Sequence, residues 1–172
     1  MIKFMTSIKL YGPKCDDNIN KIILNSLNQY GIAISKKYDE ILFVDNVHDN
    51  FKDQNINVFK NTFKINRHMT EFNENSINII DSQNEHAISY LNNRNETTVT
   101  CGVSNKNSLM MESLTQYKAI ISLQRNIKTS NELICPQGFK IELFNEIGIY
   151  PLLVTSAILL IAGIPSENGY TF

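Results

Sequence analysis

The chain predicts a three-layer α/β fold: a mostly parallel sheet that gives way to a C-terminal antiparallel meander and a closing helix. Three observations carry this expectation. Before Gly102, short apolar runs such as Glu40–Asp45 (EILFVD) and Ser76–Ile80 (SINII) alternate with helical periodicity, as buried parallel strands do. After Gly102 the apolar period changes to two, which suits antiparallel strands with one solvated face. The run Pro151–Ile164 (PLLVTSAILLIAGI) is apolar throughout, yet shorter than the ~20 residues that span a bilayer, so it reads as a buried helix.

Taken in order, Ile8–Tyr11 is a strand ended by the turn Gly12-Pro13. Asp16 or Asp17 caps a helix running to about Tyr30. Its inward face is Ile19, Ile22, Ile23, Leu27 and Tyr30, and Gly31 stops it. Ile32–Ile34 is a candidate short strand, and Glu40–Asp45 is expected as a central parallel strand. Residues Asn46–Asn57 read as irregular, and Val58–Phe72 as a weakly periodic helix with Phe59, Phe63 and Met69 inward. Ser76–Ile80 is a buried strand, Asp81-Ser82 a cap for the helix Glu85–Leu91, and Thr97–Cys101 a β-branched strand turned by Gly102. Ser108–Leu114, Tyr117–Leu123, Leu133–Ile134 and Phe139–Phe144 make the meander. Pro151 is expected at the first helical position of the last helix, which Gly163 and Pro165 close.

At 172 residues the chain suits one domain, residues 1–172. Sixteen basic residues balance 17 acidic ones, and no run of like charge gives a nucleic-acid or polybasic membrane footprint. Asparagine makes up about 13% of the chain, far above ordinary usage, so a single Asn carries little chemical meaning. Cys15, Cys101 and Cys135 lie at long, irregular spacing with no zinc or disulfide pattern. Free thiols in a reducing cytoplasm are expected. The N-terminal stretch has no signal-peptide pattern. Phe and Tyr lack interleaved Arg or Lys, so RNA stacking is not expected. No nucleophile elbow occurs, His68 and His86 have no ligand partner at metal spacing, and Glu71, Glu74 and Glu85 pair with nothing as acid and base.

Several segments, in this order, resemble the central ATP-binding domain of the Mur ligases, the amide-forming enzymes of peptidoglycan synthesis, and their folate-adding relatives. Asp81-Ser82-Gln83-Asn84-Glu85 stands where that family has an Asn-Ala-Asp-Asp-like turn. TTVTCGVSNKNSLMMESL, starting at Thr97, resembles its glycine-ended strand and the strand that opens its meander. The stretch from Gly138 to Gly169 resembles its phenylalanine-bearing strand and long helix ending in Gly-Ile-Pro. The resemblance implies a Rossmann-like domain whose first β-α turn cradles ATP phosphates, with a lysine and a hydroxyl that holds Mg²⁺.

That turn here is Gly12-Pro13-Lys14-Cys15-Asp16-Asp17. Pro13 removes an N–H, and Asp16 and Asp17 stand at the lysine and hydroxyl positions, where carboxylates oppose a triphosphate. Lys14, two residues away, is the one candidate relocated phosphate ligand. The family's Gly-x-His-Asn signature is replaced by Gly148-Ile149-Tyr150-Pro151, and only His48 and Asp49 are available for its metal-proximal Asp-His. The resemblance therefore implies a degenerate domain. It is either a non-catalytic module for a protein partner or homo-oligomer, without cofactor, or a residual binder of ATP and Mg²⁺ or of a UDP-linked precursor, acting as part of an amide ligase with another chain.

Overall fold

The computed structural model describes residues 7–14, 17–32, 34–37, 40–43, 54–65, 76–130 and 132–172. The elements are β1 (Ser7–Tyr11), α1 (Asn18–Gln29), β2 (Ile34–Lys37), β3 (Glu40–Phe43), β4 (Asn55–Phe59), β5 (Ser76–Asp81), α2 (Glu85–Leu91), β6 (Thr97–Gly102), β7 (Leu109–Leu114), β8 (Lys118–Leu123), β9 (Ile127–Lys128), β10 (Leu133–Ile134), β11 (Gln137–Glu142), α3 (Ile149–Ile161) and β12 (Tyr170–Thr171). Ten of the described strands form one sheet in the order β12-β11-β8-β7-β6-β5-β4-β1-β3-β2. Its centre, β1-β4-β5-β6-β7, is parallel. β8 lies antiparallel between β7 and β11, which confirms an antiparallel C-terminal part, and β12 adds a parallel edge.

One face of the parallel strands is apolar row by row. Ile8, Ile56 and Ile77 align across the sheet, and Leu10, Val58, Ile79 and Val99 form the next row. α1 and α3 cover this face. Ile19, Ile23 and Leu27 of α1 are buried, whereas Ile22 and Tyr30 are only partly so. α3 is buried on nearly every side, as a helix apolar all round must be. Burying one of its leucines contributes about 1.5–3 kcal/mol. On the opposite face, α2 packs Ala87 and Leu91 against Phe59, Phe63 and Ile80. The edge strand β12 is blunted: Tyr30 at the end of α1 accepts the Thr171 N–H at 2.8 Å through its hydroxyl.

Several expectations are corrected. Glu40–Phe43 is not a central parallel strand but runs antiparallel between β1 and β2. Only two residues separate β2 from β3, too few for a crossover, so the chain must return antiparallel. The short strand begins at Ile34 rather than Ile32. Asn55–Phe59 is a central strand, although 55–57 are expected as irregular and 58–59 as helical, and residues 60–65 are not helical either. The expected helical positions 66–72 lie outside the described residues. Leu133–Ile134 leaves the meander to pair with β9. Gly102 ends β6 within the ladder instead of turning it. Pro151 is the third residue of α3, inside the first turn whose N–H groups need no helical partner. No helix among the described residues is long and apolar enough to cross a membrane.

Candidate functional site

The chain leaves the carboxyl end of β1 through α1 toward β2 on one side, while β4 and then β5 lie on the other. Crevices of open α/β sheets form where successive connections depart in opposite directions. Here that place is bounded by the turn after β1 and the segment after β4. It contains Gly12, Lys14 and Asp17 of the expected nucleotide turn. Asp16, His48 and Asp49 lie outside the described residues.

The turn is filled from within. Lys60, the residue after β4, is 1% exposed although it carries an ammonium group. Its N–H donates to the Tyr11 carbonyl at 2.9 Å, continuing the ladder. Its side chain then folds across the turn, and Nζ donates to the Pro13 carbonyl at 2.9 Å. Glycine at position 12 is what permits this. Its φ is +144°, and a Cβ there would stand 2.9 Å from Lys60 Cβ and 3.0 Å from Lys60 Cδ. Lys14 points into solvent as an exposed side chain. Asp17 stands at the N-cap of α1 as expected, but its side chain caps no backbone N–H and instead accepts from Asn20 Nδ2 at 2.8 Å.

Two further side chains hold the neighbouring strand ends. Asn84 Oδ1 caps α2 by accepting the Ala87 N–H at 3.0 Å. Its Nδ2 reaches the carbonyls of Lys60, Asn61 and Phe63, each at 3.2 Å. Asp81, expected as the cap, instead accepts the Gln83 N–H at 2.9 Å. Beneath the strands, the Tyr150 hydroxyl donates to the Phe59 carbonyl and lies 3.4 Å from that of Ile79. Burial first, then the nearby Cys101 and Asp81, push the Tyr150 phenol up. Burial and then Asp81 push the Cys101 thiol up too, so it is an inert core thiol. Beside it, Gly102 is pressed under Ser82 and Asn107: an added Cβ would sit 2.5 Å from Ser82 Oγ and 2.4 Å from Asn107 Nδ2.

The polarity of the crevice is thus the reverse of a phosphate cradle. A cradle turns backbone N–H donors outward to an anion. Here backbone carbonyls face inward, and an ammonium, a phenol and a carboxamide from the chain itself answer them. Among the described residues no group of three His, Cys, Asp or Glu could hold a metal ion, and His86 and Glu85 are solvent-exposed on α2. Sequence reasoning missed Lys60, Asn84 and Tyr150. Asn84, directly before a helical pattern, carried an ordinary cap signal; the other two are given meaning only by β4, whose residues read partly as loop and partly as helix. A scan against protein-family models finds no match for the chain, and a search of curated proteins finds none either.

Proposed function

We propose that the chain is a non-catalytic Mur-ligase-like domain that acts as a binding or oligomerisation module, with cell-wall peptide metabolism as its setting. The observation that carries this reading is Lys60, which lies across Gly12 where a nucleotide phosphate would need the space, with its ammonium committed to Pro13. The Rossmann-like ancestry rests on the order of the segments and their sequence pattern. A binding role draws support from the exposed apolar side chains of the meander region. Tyr117 is 65% and Phe144 76% exposed, and the Leu143 N–H donates to the Tyr117 carbonyl, which joins the two chain segments that carry them. Leu114 and Ile120 extend the apolar surface.

Calorimetry with Mg-ATP and with UDP-linked peptide precursors tests the reading. No heat of binding is expected at millimolar ligand. Tight binding that Lys14→Ala abolishes would overturn it in favour of the residual-binder alternative, in which the exposed Lys14 is the phosphate ligand. Light scattering on the wild-type chain and on Tyr117→Ser/Phe144→Ser then reads association. Self-assembly lost in the double variant identifies the module as homo-oligomeric, and a monomer in both directs the search to a different protein.

A further inference from the structure

The amino-terminal half of the parallel strands carries polar groups that none of the described residues answers. On the α2-side face of β5, Ser76 is 3% and Asn78 1% exposed. Register sets Asn57 beside Asn78, and Asn57 Nδ2 donates to Asn78 Oδ1 at 2.9 Å. That bond fixes which end of the Asn78 amide is left over. Asn78 Nδ2, Ser76 Oγ and Oε2 of Glu96 are all buried without a hydrogen-bond partner among the described residues. The other Glu96 oxygen stands 3.9 Å from Arg94 Nη1.

The three residues lie at one end of the β5–β6 pair. Ser76 and Asn78 alternate onto one face, so their Cα atoms lie about 6.6 Å apart. Thr97, the first residue of β6, pairs with Ile77, and Glu96 directly precedes it, so the register run back by one residue carries Glu96 toward Ser76. Left bare, each buried polar group is a substantial penalty to the fold. Their chemistry selects the occupant. Asn78 Nδ2 can only donate, which disfavours a metal cation. The Glu96 carboxylate can only accept, which disfavours an anion. The Ser76 hydroxyl does either. A water molecule meets all three, accepting from Asn78, donating to Glu96 and bonding Ser76, and about three hydrogen bonds is the usual complement of a buried water.

We propose that one or two ordered water molecules are bound between Ser76, Asn78 and Glu96 as a fixed part of the fold. A high-resolution crystal structure of the full chain tests this directly. It should hold a water peak within about 3.2 Å of at least two of the three atoms. A dry void, or density for a larger organic molecule, would overturn the proposal. Ser76→Ala is the second arm, because Ser76 Oγ has no partner among the described residues to lose. If water is bound there, the melting temperature falls by about 2–4 °C. An unchanged or higher value means the hydroxyl held nothing.

Discussion

The two ends of the same parallel strands solve one problem in opposite ways. At the carboxyl ends of β1, β4 and β5, backbone carbonyls turned into the crevice are met by donors that the chain supplies itself: Lys60 for Pro13, Tyr150 for Phe59, and Asn84 for Lys60, Asn61 and Phe63. At the amino ends, Ser76, Asn78 and Glu96 keep buried atoms that no group of the described residues meets. The lesson concerns where ligands belong. At the edge of an open α/β sheet that ordinarily receives a ligand, side chains here meet the carbonyls, whereas at the other end three polar atoms have no partner among the described residues. Variants can break this contrast if the internal donors prove dispensable, or sharpen it if each proves necessary in proportion to the carbonyls it serves.

Asn84 should matter most. Asn84→Ala removes the α2 cap and the donor for three carbonyls, and the expected cost is about 2–4 kcal/mol. For a chain of this length that is a fall in melting temperature on the order of 10 °C. Asn84→Ser separates the two roles, because its hydroxyl can still accept the Ala87 N–H while Nδ2 is lost. It should recover about 1 kcal/mol of the loss. Full recovery in Ser would mean that the segment after β4 needs no donor from position 84.

Gly12→Ala comes next. At φ +144° a side chain is strained whatever surrounds it, and here the new Cβ also meets the Lys60 side chain. About 2–3 kcal/mol is expected, read as a shift in the chemical denaturation midpoint. Combining it with Lys60→Ala should give back only part of that loss. Lys60 Cβ is the nearest atom and remains, and the backbone strain is untouched. Complete rescue would place the whole cost in the contact and none in the backbone.

How much of this was legible beforehand follows from which interactions are local. α1, β5, α2, β6, β8 and α3 announce themselves because each carries its own period and its own stops, Gly31 and Gly163 among them. β4 does not. Asn55 and Asn57 look like loop residues until the sheet places them beside Ser76 and Asn78, where one asparagine satisfies another. With β4 hidden, Lys60 had no strand to follow and Gly12 no partner. The turn's departures from a phosphate loop, Pro13 and the carboxylates, are visible in the sequence. What fills it comes from 48 residues further along the chain, beyond any local signal.

Tyr150 links the crevice to alkaline stability. Tyr150→Phe leaves the Phe59 carbonyl without its donor and should cost about 1–2 kcal/mol at neutral pH. The sign of the pH effect follows from burial. The Cys101 thiol and the Tyr150 phenol both have folded pKa values raised above their ordinary 9.0 and 10.0. The stability they contribute is therefore whole below those values. It is lost as pH rises past them, because the unfolded chain releases protons that the folded one retains. Melting temperature should decline from about pH 9 upward, with a gentler slope for Cys101→Ala and, above about pH 10, for Tyr150→Phe. Equal slopes in all three proteins would place the alkaline sensitivity elsewhere.

The smallest effect is expected at the residue that fills the crevice. Lys60 buries an ammonium against a single carbonyl, and desolvating a charge offsets much of what one hydrogen bond returns. Lys60→Met keeps an unbranched stem over Gly12 and discards the charge, so stability should change by less than about 1 kcal/mol in either direction. Calorimetry on the same variant separates filling from charge. If the stem closes the turn, Lys60→Met still binds no Mg-ATP. If only the ammonium mattered, the variant behaves like Lys60→Ala, and both lose stability together. The first outcome makes the closed end of the sheet a matter of shape, held by a methylene chain lying on a glycine. The second makes it a matter of electrostatics, and Pro13 rather than Gly12 becomes the residue around which the turn is built.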